Sequence, residues 1–341
     1  MSKKSRSVSI THLIILLEKS KRKPMKAAYI EAFAEKGNLI VADLPAPEPK
    51  EGEICISVRY AGVNPVDGKI AKGLFQSRMP HRFPLILGWD AAGTVASLGK
   101  GVSRFKEGDR VFAYCRKEIV QHGSWAEFVT VEAKHAALIP PRLSFDEAAS
   151  IPLAALTAWQ GLFEKLHLES KETVLIHGAA GGVGGFAIQL AKGKNGFVIA
   201  TASAEKGSYV RDLGADEVID YRTVSFVEAV RKIHPEGIDA VFDSVGKDVY
   251  RDSFKALKPH GRIVSILEQP DAELAKQHGV RAEYLFVYPD GGSLEAIGAL
   301  YEKGALKLPK IETLDLAEAS LALEKIRTGH TLGKIVLRVT P

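Results

Sequence analysis

Residues 174–192 read VLIHGAAGGVGGFAIQLAK. Val174, Leu175 and Ile176 suit a buried strand, a glycine-rich turn follows, and the apolar run from Phe186 to Ala191 has helical spacing. That order is the strand–turn–helix of a dinucleotide site. The turn must be tight, its backbone must approach a pyrophosphate, and the free N–H groups at the helix start must meet the phosphate charge. Gly181 and Gly184 fill the second and third glycine positions, and Ala179 stands where the first would be. Ala180, Gly181, Gly182, Val183 and Gly184 are therefore the expected phosphate-facing segment. The competing reading is a glycine-rich turn in an α/β protein that binds nothing.

The elements that would hold such a turn are visible on either side of it. Val174–Ile176, Phe197–Ala200, Glu217–Ile219, Ala240–Phe242 and Arg262–Ile266 read as strands with helices between them. This alternation implies α/β structure with a parallel sheet covered on both faces. Residues 26 to about 150 differ. Glu53–Tyr60 alternates with period two, Gly88, Gly93, Gly99, Gly101, Gly108 and Gly123 separate short strands, and Pro45, Pro47 and Pro49 stiffen an early connection. A barrel-like β domain is expected there. Leu314–Thr328 reads as a helix and Ile335–Val339 as a strand that returns to this first domain.

Composition limits the alternatives. A chain of 341 residues is long enough for about two domains, each with its own core. Its formal charge of +5 is concentrated in the first 24 residues, where Lys3, Lys4, Arg6, Lys19, Lys21, Arg22 and Lys23 face only Glu18. The body is close to neutral, so basicity gives no argument for nucleic acid. Leu13–Leu17 is too short to span a bilayer and no small-residue cleavage site follows, so residues 1–24 read as a dispensable basic leader, with an organelle-targeting or docking segment as the alternative. Cys55 and Cys115 form no C-x-x-C pair, which excludes a disulfide framework and fits a reducing, cytoplasmic setting.

Several motifs in fixed order make the chain recognisable: Ala61-Gly62-Val63-Asn64-Pro65-Val66-Asp67, Leu87-Gly88-Trp89-Asp90 through Val95, Gly108-Asp109-Arg110-Val111-Phe112, Pro152 through Ala158, the glycine turn, and Gly333-Lys334-Ile335-Val336. Together they resemble the zinc-independent medium-chain dehydrogenase/reductases, and within them the quinone oxidoreductases. The resemblance runs from about Met25 to Val339. It implies a GroES-like β-barrel domain over 25–149, a doubly wound Rossmann domain over 150–289, a return to the first domain over 290–341, NADPH as cofactor, and a homodimer.

The departures from the zinc enzymes of that superfamily are informative. Asn64 stands where they carry a cysteine, Trp89 where they carry a histidine, and Leu153 lies near their third ligand position. Asn and Trp cannot supply the thiolate or imidazole donors of a catalytic zinc, so no catalytic metal is expected. His81, His122, His135, His167, His234 and His260 have no paired helical spacing and read as ordinary surface or satisfied histidines.

The nucleotide preference turns on the end of the second strand, where an NAD site wants Asp or Glu. Ser203 stands there and Lys206 follows, a hydroxyl and an ammonium suited to a 2′-phosphate. The resemblance adds Tyr221, followed by Arg222, beside the same phosphate. Two readings oppose this preference for NADPH: Glu205 turned inward, or Lys206 as a plain surface lysine. Thr157, Ser244, Val245 and Leu267 are the expected contacts along the ribose and nicotinamide, and Lys334 a contact from across the cleft.

Without a metal, the negative charge that develops on an acceptor oxygen needs another donor. Asn64 is the first candidate, against a role in capping its turn; Lys69 could offer a cation, against simple solvation. Tyr60 and Trp89 could form an aromatic wall for a flat substrate, or merely pack. Quinones and activated alkenes are already electrophilic, whereas simple ketones normally need a Lewis acid. The sequence therefore predicts an NADPH-dependent quinone oxidoreductase. Its competitors are an alkenal or enone reductase on the same scaffold, and a cofactor-binding sensor or interaction protein with little catalysis.

Overall fold

A computed structural model of the chain describes residues 23–35, 39–329 and 331–340. The basic leader expected over 1–24 lies outside the described residues except for Lys23 and Pro24. The first strands are β1 (Pro24–Ile30), β2 (Ile40–Pro45), β3 (Glu53–Val63), β4 (His81–Ile86), β5 (Asp90–Leu98), β6 (Arg110–Tyr114), β7 (Val120–His122), β8 (Phe128–Glu132) and β9 (Ala136–Leu138). Next come β10 (Thr173–Ile176), β11 (Phe197–Ala202), β12 (Glu217–Asp220), β13 (Ile238–Asp243), β14 (Leu257–Ser265) and β15 (Arg281–Tyr284), and finally β16 (Ile311–Asp315) and β17 (Lys334–Arg338).

Three sheets result. β10 to β15 form an all-parallel sheet in the order β12-β11-β10-β13-β14-β15, the doubly wound Rossmann order. Its strands are continuous apolar runs because both faces are covered: Val174, Leu175, Ile176, Val198, Ile199, Ala200, Val241 and Phe242 are fully buried. The GroES-like part consists of β2-β1-β4-β7 and of β16-β17-β3-β5-β6-β9, with β8 on β3. β17 pairs antiparallel with the last residues of β3, so Ile335 lies opposite Val63.

Two local expectations change. Leu314 and Asp315 end strand β16, and the α-helix occupies only Ala319–Arg327. Asp315 sits opposite Arg338 in the β16–β17 ladder, and its backbone N–H donates to Glu318 (2.9 Å), which starts the helix only after that pair. The sixth parallel strand, β15, went unread because Arg281–Tyr284 is a short, half-exposed edge strand without a continuous apolar run.

The glycine turn also departs in detail. Gly178, not the Ala179 position, takes the left-handed conformation (φ 67°) that turns the chain out of β10. A Cβ there would lie 2.4 Å from the Ser244 Oγ. Gly184 has no room either: its Cβ would stand 2.5 Å from the Gly178 carbonyl oxygen and 2.6 Å from the Ala179 Cα. Gly193 closes the same helix, Gly182–Gly193, and a Cβ there would meet nothing within 4 Å. Gly184→Ala should cost about 1–3 kcal/mol in urea unfolding, while Gly193→Ala should be neutral or slightly stabilising. Equal effects of the two would contradict this reading of the turn.

Candidate active site

Chain leaving β3 at Val63 enters a short helix, Pro65–Ala71, through Asn64, whose backbone is extended and whose successor is a proline fixed at the first helical position. Asp67 closes the helix start by accepting the Asn64 backbone N–H (2.7 Å). The cap therefore comes from Asp67, and the Asn64 side chain is left for other partners. Its Nδ2 donates to the Asp90 carboxylate (2.8 Å), and its Oδ1 accepts from the Lys334 Nζ. Lys334 also donates to the Val63 carbonyl (3.2 Å) and pairs with Asp90 at 3.6 Å. Asp90 in turn accepts the Leu153 N–H (2.8 Å) in the first turn of helix Pro152–Trp159, where the helix dipole favours an anion.

All four polar side chains are buried, Asp67 and Asp90 completely. Burial pushes the Asp90 carboxyl up against the opposing pull of Lys334, and pulls the Lys334 ammonium down against the two carboxylates. Asp67 is pushed up to about 7, chiefly by desolvation. Its Oδ1 has no hydrogen-bond partner, so a charge there would be poorly stabilised.

The glycine turn meets this network directly. Gly181 forms a parallel bridge with Gly333, and a Cβ on Gly182 would lie 2.8 Å from the Lys334 Cδ. The stem of Lys334 thus crosses the turn while its ammonium reaches Asn64. Lys334, expected as a contact from across the cleft, lays its stem against the turn while Asn64 and Asp90 engage its charge. The first turn of helix Gly182–Gly193 leaves the amides of Gly182, Val183 and Gly184 without intrahelical acceptors. Bare glycines and open amides fit a pyrophosphate. Ala180 is nearly buried beneath them.

Ser244 donates to the His177 carbonyl (2.8 Å) and Val245 is exposed beside it, at the carboxyl end of β13. The loop carrying Leu267 is fixed by its N–H to the Ser265 Oγ (3.1 Å), and Ser265 donates to the buried Asp243 (2.6 Å). Thr157 is buried and donates to the Leu153 carbonyl (2.6 Å). His177 is enclosed between the hydroxyls of Thr201 and Ser253 (3.0 Å each), and burial lowers its pKa to about 4, which makes it a neutral structural group.

At the other end of the sheet, Ser203 closes β11 and is buried, and Tyr221 follows β12 and is exposed. Glu205 lies between them. Its pKa falls to about 2, through its own backbone N–H, the Arg222 guanidinium and the Ser203 hydroxyl. Arg222 also touches Asp220 at 3.4 Å. Lys206 ends the short turn that follows Ser203.

Tyr60 and Trp89, the expected aromatic pair, do not come together. Tyr60 lines a separate surface groove with Lys26, Val41, Leu316 and Arg338. Trp89 instead meets Tyr114 (centroids 5.9 Å apart) and Phe75 (6.5 Å), and Phe75 meets Phe286 (6.0 Å), which follows β15. Tyr60 misses because β3 places it opposite Ala92, two pairs along the ladder from Gly62 and Asp90. Lys69 is half-buried on the Asn64 helix, its pKa lowered by desolvation and by Arg78. Both cysteines are buried, and burial pushes their thiols up, Cys55 to about 11. Among the described residues no cluster of three or more His, Cys, Asp or Glu side chains is placed to hold a metal.

Comparison with known proteins agrees with this architecture. Residues 50–141 match the alcohol dehydrogenase GroES-like domain, and residues 213–337 match the zinc-binding dehydrogenase model, a segment that contains none of Asn64, Trp89 or Leu153. The chloroplast envelope quinone oxidoreductase homolog of Arabidopsis thaliana is 33% identical over 311 residues, covering 86% of this chain and 92% of the relative. The 2-methylene-furan-3-one reductase of Solanum lycopersicum is 34% identical over 310 residues, covering 88% and 75%. The solved quinone oxidoreductase from Coxiella burnetii superposes with a TM-score of 0.83 at 34% identity, over 93% of this chain and all of that one.

Asp67 gives the site a pH signature. The unfolded carboxyl ionises near 3.8 and the folded one near 7. Between those values the folded state holds a proton that the unfolded state has lost, so this group's contribution to stability declines as pH rises from about 4 to about 7. Asp67→Asn keeps an acceptor for the Asn64 N–H and removes the titration. Urea unfolding should show the variant gaining on the wild type between about pH 5 and pH 8; a constant difference would contradict the assignment.

Proposed function

The chain belongs to the quinone oxidoreductase family of the medium-chain dehydrogenase/reductases, and from that footing we propose that it is an NADPH-dependent, metal-free reductase of quinones. One observation carries the metal-free part. Two positions where the zinc enzymes carry ligands hold Asn64 and Trp89, Leu153 lies near the third, and Asn64 is locked to Asp90 and Lys334. This donor set offers amide, indole and aliphatic groups, none of which suits zinc.

A bound nicotinamide cofactor supplies a hydride, which with a proton reduces a conjugated carbonyl acceptor. The chain's own residues do the rest. The open amides of Gly182, Val183 and Gly184 hold the pyrophosphate. Thr157, Ser244, Val245 and Leu267 border the ribose and nicotinamide. Asn64 has one Nδ2 hydrogen engaged by Asp90, and its second hydrogen, with the Lys69 ammonium, is the donor set for oxygen charge developing on the acceptor. Trp89, Phe75 and Phe286 give a flat acceptor apolar faces and limit water.

Ser203, Lys206, Tyr221 and Arg222 support NADPH over NADH. In this reading the Glu205 carboxylate engages the Ser203 hydroxyl and the Arg222 guanidinium, the donors a 2′-phosphate would use, and so competes with it. Glu205→Gln should lower the KM for NADPH severalfold with less change for NADH, because a competing carboxylate is removed. Lys206→Ala should erode the same preference. Unchanged cofactor ratios in both variants would contradict the pocket.

Reduction of an enone is the second reading, favoured by the relative from Solanum lycopersicum named for such an activity. Both reactions place charge on a carbonyl oxygen, so the same donors serve. The test is oxidation of NADPH and NADH with a panel of quinones and enones, with and without a chelator. Quinone-dependent turnover that the chelator leaves unchanged is expected. Loss of turnover on chelation would overturn the metal-free reading, and failure of both acceptor classes alongside tight NADPH binding would overturn the reductase reading and leave a cofactor-binding sensor in its place.

A further inference from the structure

Two guanidinium groups, Arg78 and Arg116, stand against the rings of Phe75, Tyr284 and Phe286, and the reduction itself does not account for them. Arg78 stacks over the Tyr284 ring (5.2 Å to its centroid) and lies 6.0 Å from that of Phe75, with Nη1 donating to the Tyr284 hydroxyl. Arg116 stacks over the Phe286 ring at 4.6 Å, and its buried Nε has no hydrogen-bond partner. Lys69 lies close enough to Arg78 for their charges to interact. Among the described residues none of these three forms an ion pair with a carboxylate. Their neighbours behave differently: Lys117 pairs with Glu53 (2.8 Å), and Lys165 and Arg281 both pair with Glu283 (3.1 and 3.3 Å).

The cofactor's own phosphates do not explain these charges. Tyr284 and Phe286 lie at the carboxyl end of β15, and the Ser203–Tyr221 pocket lies at the ends of β11 and β12. The sheet order puts four strand spacings between β11 and β15, roughly 19 Å. The pyrophosphate turn belongs to β10, three strands from β15. Stacking uses the ring-facing planes, which leaves in-plane N–H groups of Arg78 beyond the Nη1 held by Tyr284, and those of Arg116 beyond its buried Nε, to meet an anion.

We propose that Arg78 and Arg116 form a subsite for a carboxylate or sulfonate carried by a conjugated, flat acceptor whose ring lies against Phe75, Trp89 and Phe286. The proposal rests on the reductase reading above and narrows its substrate class to anionic acceptors. Two guanidinium groups without counter-ions, beside apolar ring faces, select an acid over its uncharged isostere because only the acid gains charge-assisted hydrogen bonds there.

The test is calorimetric titration of the protein loaded with oxidised NADP, at low salt, with naphthalene-2-carboxylate and with naphthalene-2-carboxamide. The carboxylate should bind about tenfold tighter, and added salt should shrink the ratio. Arg78→Gln and Arg116→Gln should each reduce the ratio, and Arg78→Lys should keep most of it. Arg78 is exposed, so its variants carry the test even if Arg116→Gln fails to fold. Equal or weaker binding of the carboxylate by the wild type, or a ratio unchanged in the Arg78→Gln protein, would overturn the proposal. Binding is read without turnover, so this inference and the reductase reading fail separately.

Discussion

A lysine buried between two halves of the chain governs this structure. Lys334 opens β17, crosses the glycine turn with its stem, and ends on Asn64 and Asp90. Removing an ammonium and a carboxylate from water costs several kcal/mol each, and close pairing recovers that only when the remaining donors and acceptors are satisfied. Here they are nearly all satisfied. Lys334 has Asn64 Oδ1 and the Val63 carbonyl, and Asp90 has Asn64 Nδ2 and the Leu153 N–H. The exception is one oxygen of Asp67, the group whose proton is held to near neutrality.

The arrangement explains several neighbouring choices. Gly182 is bare because the lysine stem needs the space, and Gly333 takes a positive φ (76°) to aim β17 past the turn. Asp90 ties β5 to helix Pro152–Trp159, which carries Thr157 and packs against helix Gly182–Gly193. One ionic network therefore sets the distance between the glycine turn, proposed to hold the pyrophosphate, and the residue proposed to meet the acceptor. On the proposed reading, fixed protein charges do the positioning that a metal does in the zinc enzymes of the superfamily, and the acceptor brings its own electrophilicity.

The local half of this account was legible in the sequence. The glycine turn and five of the six parallel strands follow from short-range patterns, whereas the reading of Asn64 and Trp89 as replacing metal ligands comes from the family resemblance. The long-range half was not. Asn64 and Lys334 are 270 positions apart, and nothing in either neighbourhood announces the other. Asp67 and Asp90 lay within recognisable motifs, yet only burial reveals them as a network; acids inside apolar runs were the available signal. Tyr60 was misplaced because period-two alternation gives the face of a strand but not its register against neighbours. Phe75 and Arg78 share one turn, but Arg116 and Phe286 come from two other segments, and the group gathers only when the loops do.

The most direct measurement of the central claim is a double-mutant cycle on the full chain, with Asp90→Asn, Lys334→Met and the pair combined, read by urea unfolding. Each single change should cost about 3–5 kcal/mol, because each strands a buried charge, and the combined variant should cost far less than the two together. Additive losses would mean that Lys334 and Asp90 act independently, and that the ionic network does not hold the two halves of the site in place.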